Sequence, residues 1–107
     1  MSRRPRVRYA TIYVFPNGRK GVTVSAAPER LTVRPGDIID WTVVNAAGVE
    51  GKIGVQWKKD SPLKREPEPF PRMSRAAVGS RVKDGIYKYS VTLNGEVVFD
   101  PEVEIVQ

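Results

Sequence analysis

The chain has 107 residues, 18 basic and 12 acidic side chains for a net charge of +6, and neither cysteine nor histidine. That length suits one domain, here 1–107, with a core that needs no disulfide or metal to hold it. The two missing residue types exclude a disulfide framework, thiol nucleophiles, zinc fingers, Cys–His dyads and imidazole ligands, so no cofactor is expected.

No apolar run approaches the roughly 20 residues needed to cross a bilayer. The opening SRRPRVR followed by YATIYVF imitates a signal peptide only faintly. Its apolar part is short, β-branched and aromatic, and lacks a small-residue cleavage site. It reads as a basic arm, residues 1–6, leading into a strand. The expected location is cytoplasmic, or secreted or periplasmic if a leader has been trimmed. Charge is unevenly spread: residues 1–8 carry four arginines and no acid, and residues 57–84 carry eight basic and four acidic groups. The rest of the chain is mildly acidic.

Val7 to Phe15 is rich in Val, Ile, Tyr and Thr and apolar on both faces, the pattern of a strand buried by two layers. Pro16-Asn17-Gly18 turns it, Val22-Thr23-Val24 continues as a short strand, and Ala26-Ala27-Pro28 breaks that. Leu31-Thr32-Val33 is a brief strand with Arg30 and Arg34 outward. Pro35-Gly36 then makes a turn, with Asp37 as its cap. Asp37 to Asn45 alternates with Ile39, Trp41 and Val43 inward. Ala46 to Gly51 is a loop of small residues, and Ile53, Val55 and Trp57 form the next inward set.

From Lys58 to about Ser80 the alternation dissolves. Pro62, Pro67, Pro69 and Pro71 exclude a central strand, and the 58–80 segment reads as a long basic loop pinned by Phe70 and Met73. A single helical turn is conceivable around Arg72–Val78. Beyond it, Tyr87, Tyr89, Val91 and Leu93 alternate with polar residues, and Val97, Phe99, Val103 and Ile105 do the same. Asn94-Gly95 between these runs is a strong hairpin signal. A two-residue turn would send Val97 and Phe99 to the face opposite Val91. The expected solution is therefore a three-residue loop, Leu93-Asn94-Gly95, pairing Val91 with Val97 and Tyr89 with Phe99. Pro101 cannot donate to a ladder, so the last strand should kink or change partners at Asp100-Pro101.

Strands of this length separated by Gly/Pro turns describe an all-β antiparallel sandwich. Two segments, LTVRPGDIIDWTVVN and GIYKYSV, resemble the cupredoxins, the small copper-binding Greek-key sandwiches. The first is similar to the family's strand, Pro/Gly turn and aromatic strand ending in Asn; the second is similar to its Gly-x-Tyr-x-Tyr/Phe-x-Cys approach to the metal. The acidic-Pro-x-hydrophobic final strand also fits, and the likeness covers about half the chain. It implies a Greek-key antiparallel β-sandwich, with an immunoglobulin-like sandwich as the alternative. On that alignment the copper ligands would fall near Asn45, at Val91, near Asn94 and around Phe99, none of which replaces imidazole or thiolate in a blue-copper site. The resemblance therefore implies a divergent member without the metal, and electron transfer does not carry over.

Other chemistry has little support. Glu102 and Glu104 alternate outward as a solvated face rather than a facing acid–base pair. Ser61, Ser74, Ser80 and Ser90 have no histidine to activate them, and Gly48, Gly51 and Gly54 match no phosphate-loop spacing. No enzymatic activity is expected. The basic groups remain. Arg3, Arg4, Arg6, Lys58, Lys59, Lys64, Arg65, Arg72 and Arg75, with Phe70 among them, are the candidate contacts of a non-catalytic binding module, whose partner is expected to be another protein. Nucleic acid is the alternative, through the same cations, with Tyr13, Trp57 or Phe70 as candidate stacking rings. A homo-oligomer could form through an edge strand, the two-sided first strand being the candidate; a small-ligand carrier would need a pocket.

Overall fold

The computed structural model describes residues 4–18 and 21–107. Alternation drives their packing into two sheets. β1 (Val7–Asn17), β2 (Gly21–Ala27), β4 (Ile38–Asn45) and β6 (Met73–Ala77) form the first, in the order β2-β1-β4-β6. β3 (Arg30–Val33), β9 (Glu102–Ile105), β7 (Gly85–Leu93) and β5 (Ile53–Trp57) form the second in that order, with β8 (Glu96–Phe99) also paired to β7. Both sheets are mixed rather than wholly antiparallel: β1 runs parallel to β4, and β3 runs parallel to β9. Among the described residues, no helix is long and apolar enough to cross a membrane.

The inward positions meet between the sheets. Ile12, Val14, Ile39 and Trp41 from one side pack with Tyr89, Val91, Val103 and Ile105 from the other, all essentially inaccessible. Full burial of such a side chain is worth about 1.5–3 kcal/mol. Two polar atoms in this core satisfy each other, Trp41 Nε1 donating to the Tyr89 hydroxyl at 3.3 Å. Trp57 tilts over the Tyr89 ring with centroids 4.9 Å apart. Burial pushes the Tyr89 phenol up to about 12, against the smaller opposing effect of its bond to Trp41.

The turn before β4 forms as its residues dictate. Gly36 takes a φ of 85°, Asp37 N donates to Arg34 O at 3.0 Å, and Arg34 N donates back to Asp37 Oδ2 at 2.9 Å. At Asp100-Pro101 the chain does change partners: β8 pairs β7 alone, whereas β9 lies between β7 and β3.

Several expectations are corrected. β1 is buried on one face only: Ala10, Ile12 and Val14 are inside, while Tyr9 is 61% exposed and Phe15 42%. The reason is that no third layer of strands or helices packs on the outer side of the first sheet among the described residues, so the fold has two layers and not three. β1 is also no edge strand, because β2 and β4 occupy both sides of its backbone; it cannot pair with a second copy by strand addition.

The closing hairpin uses a two-residue turn. Leu93 pairs with Glu96, and Asn94 and Gly95 have φ of 52° and 88°, as a type I′ turn requires. Parity is restored farther down, where the register shifts between Thr92–Val97 and Val91–Phe99. This bulge absorbs one residue. Val98 and Phe99, neighbours in sequence, therefore both pack against the core, and Val97 points out, 57% exposed.

The 58–80 segment is not structureless, and Arg72–Val78 holds no helical turn. Once past Pro71 the chain again has donors to offer, and Met73–Ala77 pairs antiparallel with β4 as an edge strand. Residues 63–70 run along the open side of the sandwich between two isolated bridges, Leu63–Val78 and Ile53–Phe70. They form a strap across the seam. Phe70 (5% exposed) and Pro62 are its buried anchors; Met73, 52% exposed, is not one.

Candidate functional site

The end of the sandwich that resembles a copper site is closed by amides. Asn45 Nδ2 donates to Val49 O at 2.6 Å and its Oδ1 accepts from Val49 N at 3.2 Å. From the hairpin turn, Asn94 Oδ1 accepts from Lys52 N at 3.0 Å and its Nδ2 donates to Glu50 O at 3.3 Å. Gly51 must be glycine here: its φ is 150°, and a Cβ would meet the Asn94 side chain. The two asparagines therefore latch the loop after β4 to the hairpin. Val91 is fully buried and Phe99 half-buried; neither has a donor atom, and the amides are already engaged. These residues do not fit a copper ion. No cluster of three His, Cys, Asp or Glu side chains is found among the described residues.

With the strand order, the mixed pairing and this latched end in view, the likeness to solved structures is decisive for the fold. The purple cupredoxin from Nitrosopumilus maritimus superposes with a TM-score of 0.55 at 14% identity, covering 90% of this chain and 98% of that one. Rusticyanin from Thiobacillus ferrooxidans gives 0.52 at 10% identity, covering 96% and 79%. The fold is that of the cupredoxins. No family model matches the sequence, and no curated protein does. The chain is a cupredoxin-like sandwich, and the positions where the sequence resemblance puts the metal ligands carry hydrocarbon and amide groups.

The basic candidates do not gather in one place. Arg3 lies outside the described residues. Arg4 and Arg6 are exposed, and the arm is docked at its base: Arg6 N donates to Asp37 Oδ1 at 3.2 Å, and Arg6 O accepts from Ile38 N at 2.8 Å. Asp37 itself is fully buried, with the Arg8 guanidinium 3.8 Å away. Lys58 and Lys59 sit apart on the second sheet, beside Ile86, Tyr87 and Lys88, around a groove of about 460 Å³. Lys58 is neutralised there, its Nζ 3.1 Å from Asp100 Oδ1. The Ser90 hydroxyl first, and Lys58 after it, hold the Asp100 carboxyl below the usual carboxylate range.

Lys64, Arg65, Arg72 and Arg75 follow the strap and β6. Lys64 N donates to Ala77 O at 2.9 Å, and Ala77 pairs with Ile38, which pairs with Val7. Lys64 and the foot of the arm are thus about three strand spacings apart, roughly 14 Å. Arg75 is committed to Asp40, Nε to Oδ2 at 2.6 Å, and Thr42 Oγ1 donates to the other oxygen of that carboxylate at 3.0 Å. Lys64, Arg65 and Arg72 are exposed and form no ion pair among the described residues. Phe70 is core, so it is an anchor and no contact; Trp57 is half-buried.

One region escapes a search for charges. On the outer side of the first sheet stand Tyr9, Tyr13, Phe15, Val44 and Met73, aligned by the pairings Tyr13–Val44 and Thr42–Met73. Tyr13 and Phe15 stack on each other, centroids 5.6 Å apart and planes within 5°. The signal in the sequence was the two-sided apolar character of β1, which a two-layer fold cannot bury on both faces.

Proposed function

We propose that this chain is a non-catalytic binding module on a copper-free cupredoxin-like sandwich, contacting another protein through the 58–80 strap and the arginine arm. The observation that carries the reading is the strap itself. It is tied down by backbone bridges and two buried anchors, and with the residues leading into β6 it presents Lys64, Arg65 and Arg72 to solvent, with no ion pair to them among the described residues. A rigid display of unpaired cations loses little conformational freedom on binding. The absence of cysteine and histidine from the sequence supports a role without nucleophilic or acid–base catalysis. Nucleic acid is the weaker reading, because Glu66 and Glu68 interrupt the stripe of cations that phosphates would follow. A cytoplasmic location belongs to the same proposal.

Deleting the strap would open the seam, so charge reversal is the cleaner test. The variant Lys64→Glu/Arg65→Glu/Arg72→Glu keeps both anchors and should retain its circular dichroism spectrum. In quantitative pull-downs it should lose the proteins that the wild type recovers. Equal recovery by both would remove the strap as the contact, and recovery that vanishes with nuclease treatment would favour nucleic acid.

A further inference from the structure

We infer that the outer face of the first sheet is the centre of that contact, and that its occupant is a protein with a flat apolar patch bordered by carboxylates. This rests on the protein-contact reading above and deepens it. Tyr9 is 61% exposed, Met73 52%, and Phe15 and Val44 42% each, and all four lie on one side of one sheet. Exposed apolar groups gathered on one face mark interaction sites, here with Thr11 and Thr42 between them. The charged pair within the face, Asp40 and Arg75, is internally neutral.

The border decides the partner. Arg4 and Arg6 stand at one end of the face, and Lys64, Arg65 and Arg72 run along its β6 side. There the strap and β6 enclose a groove of about 550 Å³. The acids that share a groove with them are Glu66 and Glu68 beside Lys64 and Arg65, and Glu50 beside Arg72. An apolar centre with a polar rim is the anatomy of a protein interface, and a rim of this sign is complemented by carboxylates. A second copy would set five cations against five. A single-stranded nucleic acid would want open ring faces for its bases, whereas Tyr13 and Phe15 turn theirs toward each other.

The test uses the whole protein and three 12-residue peptides, one alternating Val and Glu, one alternating Val and Lys, and one all Glu. Amide shifts are followed by NMR. The alternating acidic peptide should bind at least tenfold more tightly than the all-Glu peptide and shift the amides of Thr11, Tyr13, Thr42 and Met73; the Lys peptide should not bind. The variant Tyr9→Ser/Met73→Ser, altered only at exposed positions, should reduce the alternating acidic peptide to the all-Glu level. Shifts confined to the strap, or unchanged affinity in that variant, overturn the face while leaving the protein-contact reading standing. Equal binding of the acidic and Lys peptides overturns both. A sedimenting dimer that this variant disperses, or a 12-nucleotide single strand that displaces the acidic peptide from the same amides, overturns the inference in favour of a second copy or nucleic acid.

Discussion

Toward solvent the second sheet turns matched charges with Ile86 and Val97 exposed beside them, and the first sheet turns a larger set of rings and methyl groups. On the second, Arg30 Nε meets Glu102 Oε2 at 2.8 Å, Thr32 reaches Glu104, and Lys58, Asp100 and Ser90 form a chain. On the first, apart from Asp40 and Arg75, the row is Tyr9, Tyr13, Phe15, Val44 and Met73. The inward positions of both sheets are equally apolar, because both feed one core. Outward positions are free of that demand. The larger share of exposed rings and methyl groups on the first sheet is therefore not a demand of the core.

The largest expected effect concerns the core shared by both faces. Tyr89 ionises near 12 in the fold and near 10 when unfolded. Its raised value means that its contribution is fully present below about pH 10 and is lost as pH rises through 12, about 2–3 kcal/mol in all. Denaturant unfolding at pH 8 and pH 11.5 should show that decline. Tyr89→Phe should flatten part of it, while costing about 1–3 kcal/mol at pH 8 by leaving Trp41 Nε1 without an acceptor.

A smaller effect separates the two faces directly. Arg75→Ala removes the cation from an Asp40 side chain that is only 3% exposed, and should cost about 1–3 kcal/mol by leaving a desolvated carboxylate with Thr42 alone. Arg30→Ala on the other face frees Glu102, 25% exposed, and should cost less than about 1 kcal/mol. Equal losses in urea unfolding would erase the contrast. The smallest effect is a titration. Asp100 is held low by Ser90 and then Lys58, so what it adds to stability is present above the ordinary carboxylate range and is lost as pH falls through its lowered value. Carbon-detected NMR of the Asp100 carboxyl should show its midpoint moving upward in Ser90→Ala.

Much of this architecture could be read from side-chain order. The inward sets of β4, β5 and β7, the turn at Pro35-Gly36 and the break at Asp100-Pro101 all follow from alternation and from what proline and glycine permit. The hairpin could not be read correctly. Parity required one extra residue, and whether that residue sits in the turn or in a bulge depends on β8 finding room beside β7. Nor could β6, since an edge strand of MSRAA carries too few apolar residues to announce itself and forms because β4 has an open side. At the latched end, Asn45 and Asn94 could be seen to be poor copper ligands. That Asn94 holds the loop after β4 could not, because its partners, Lys52 and Glu50, lie on a distant segment.

Local preference, then, determined which residues point in and that the copper chemistry of the fold has no ligands here, for both are properties of residue type and spacing. Only the tertiary structure decided which apolar residues remain outside. Burial depends on how many layers are stacked, and β1, apolar on both sides, met a neighbour on one of them.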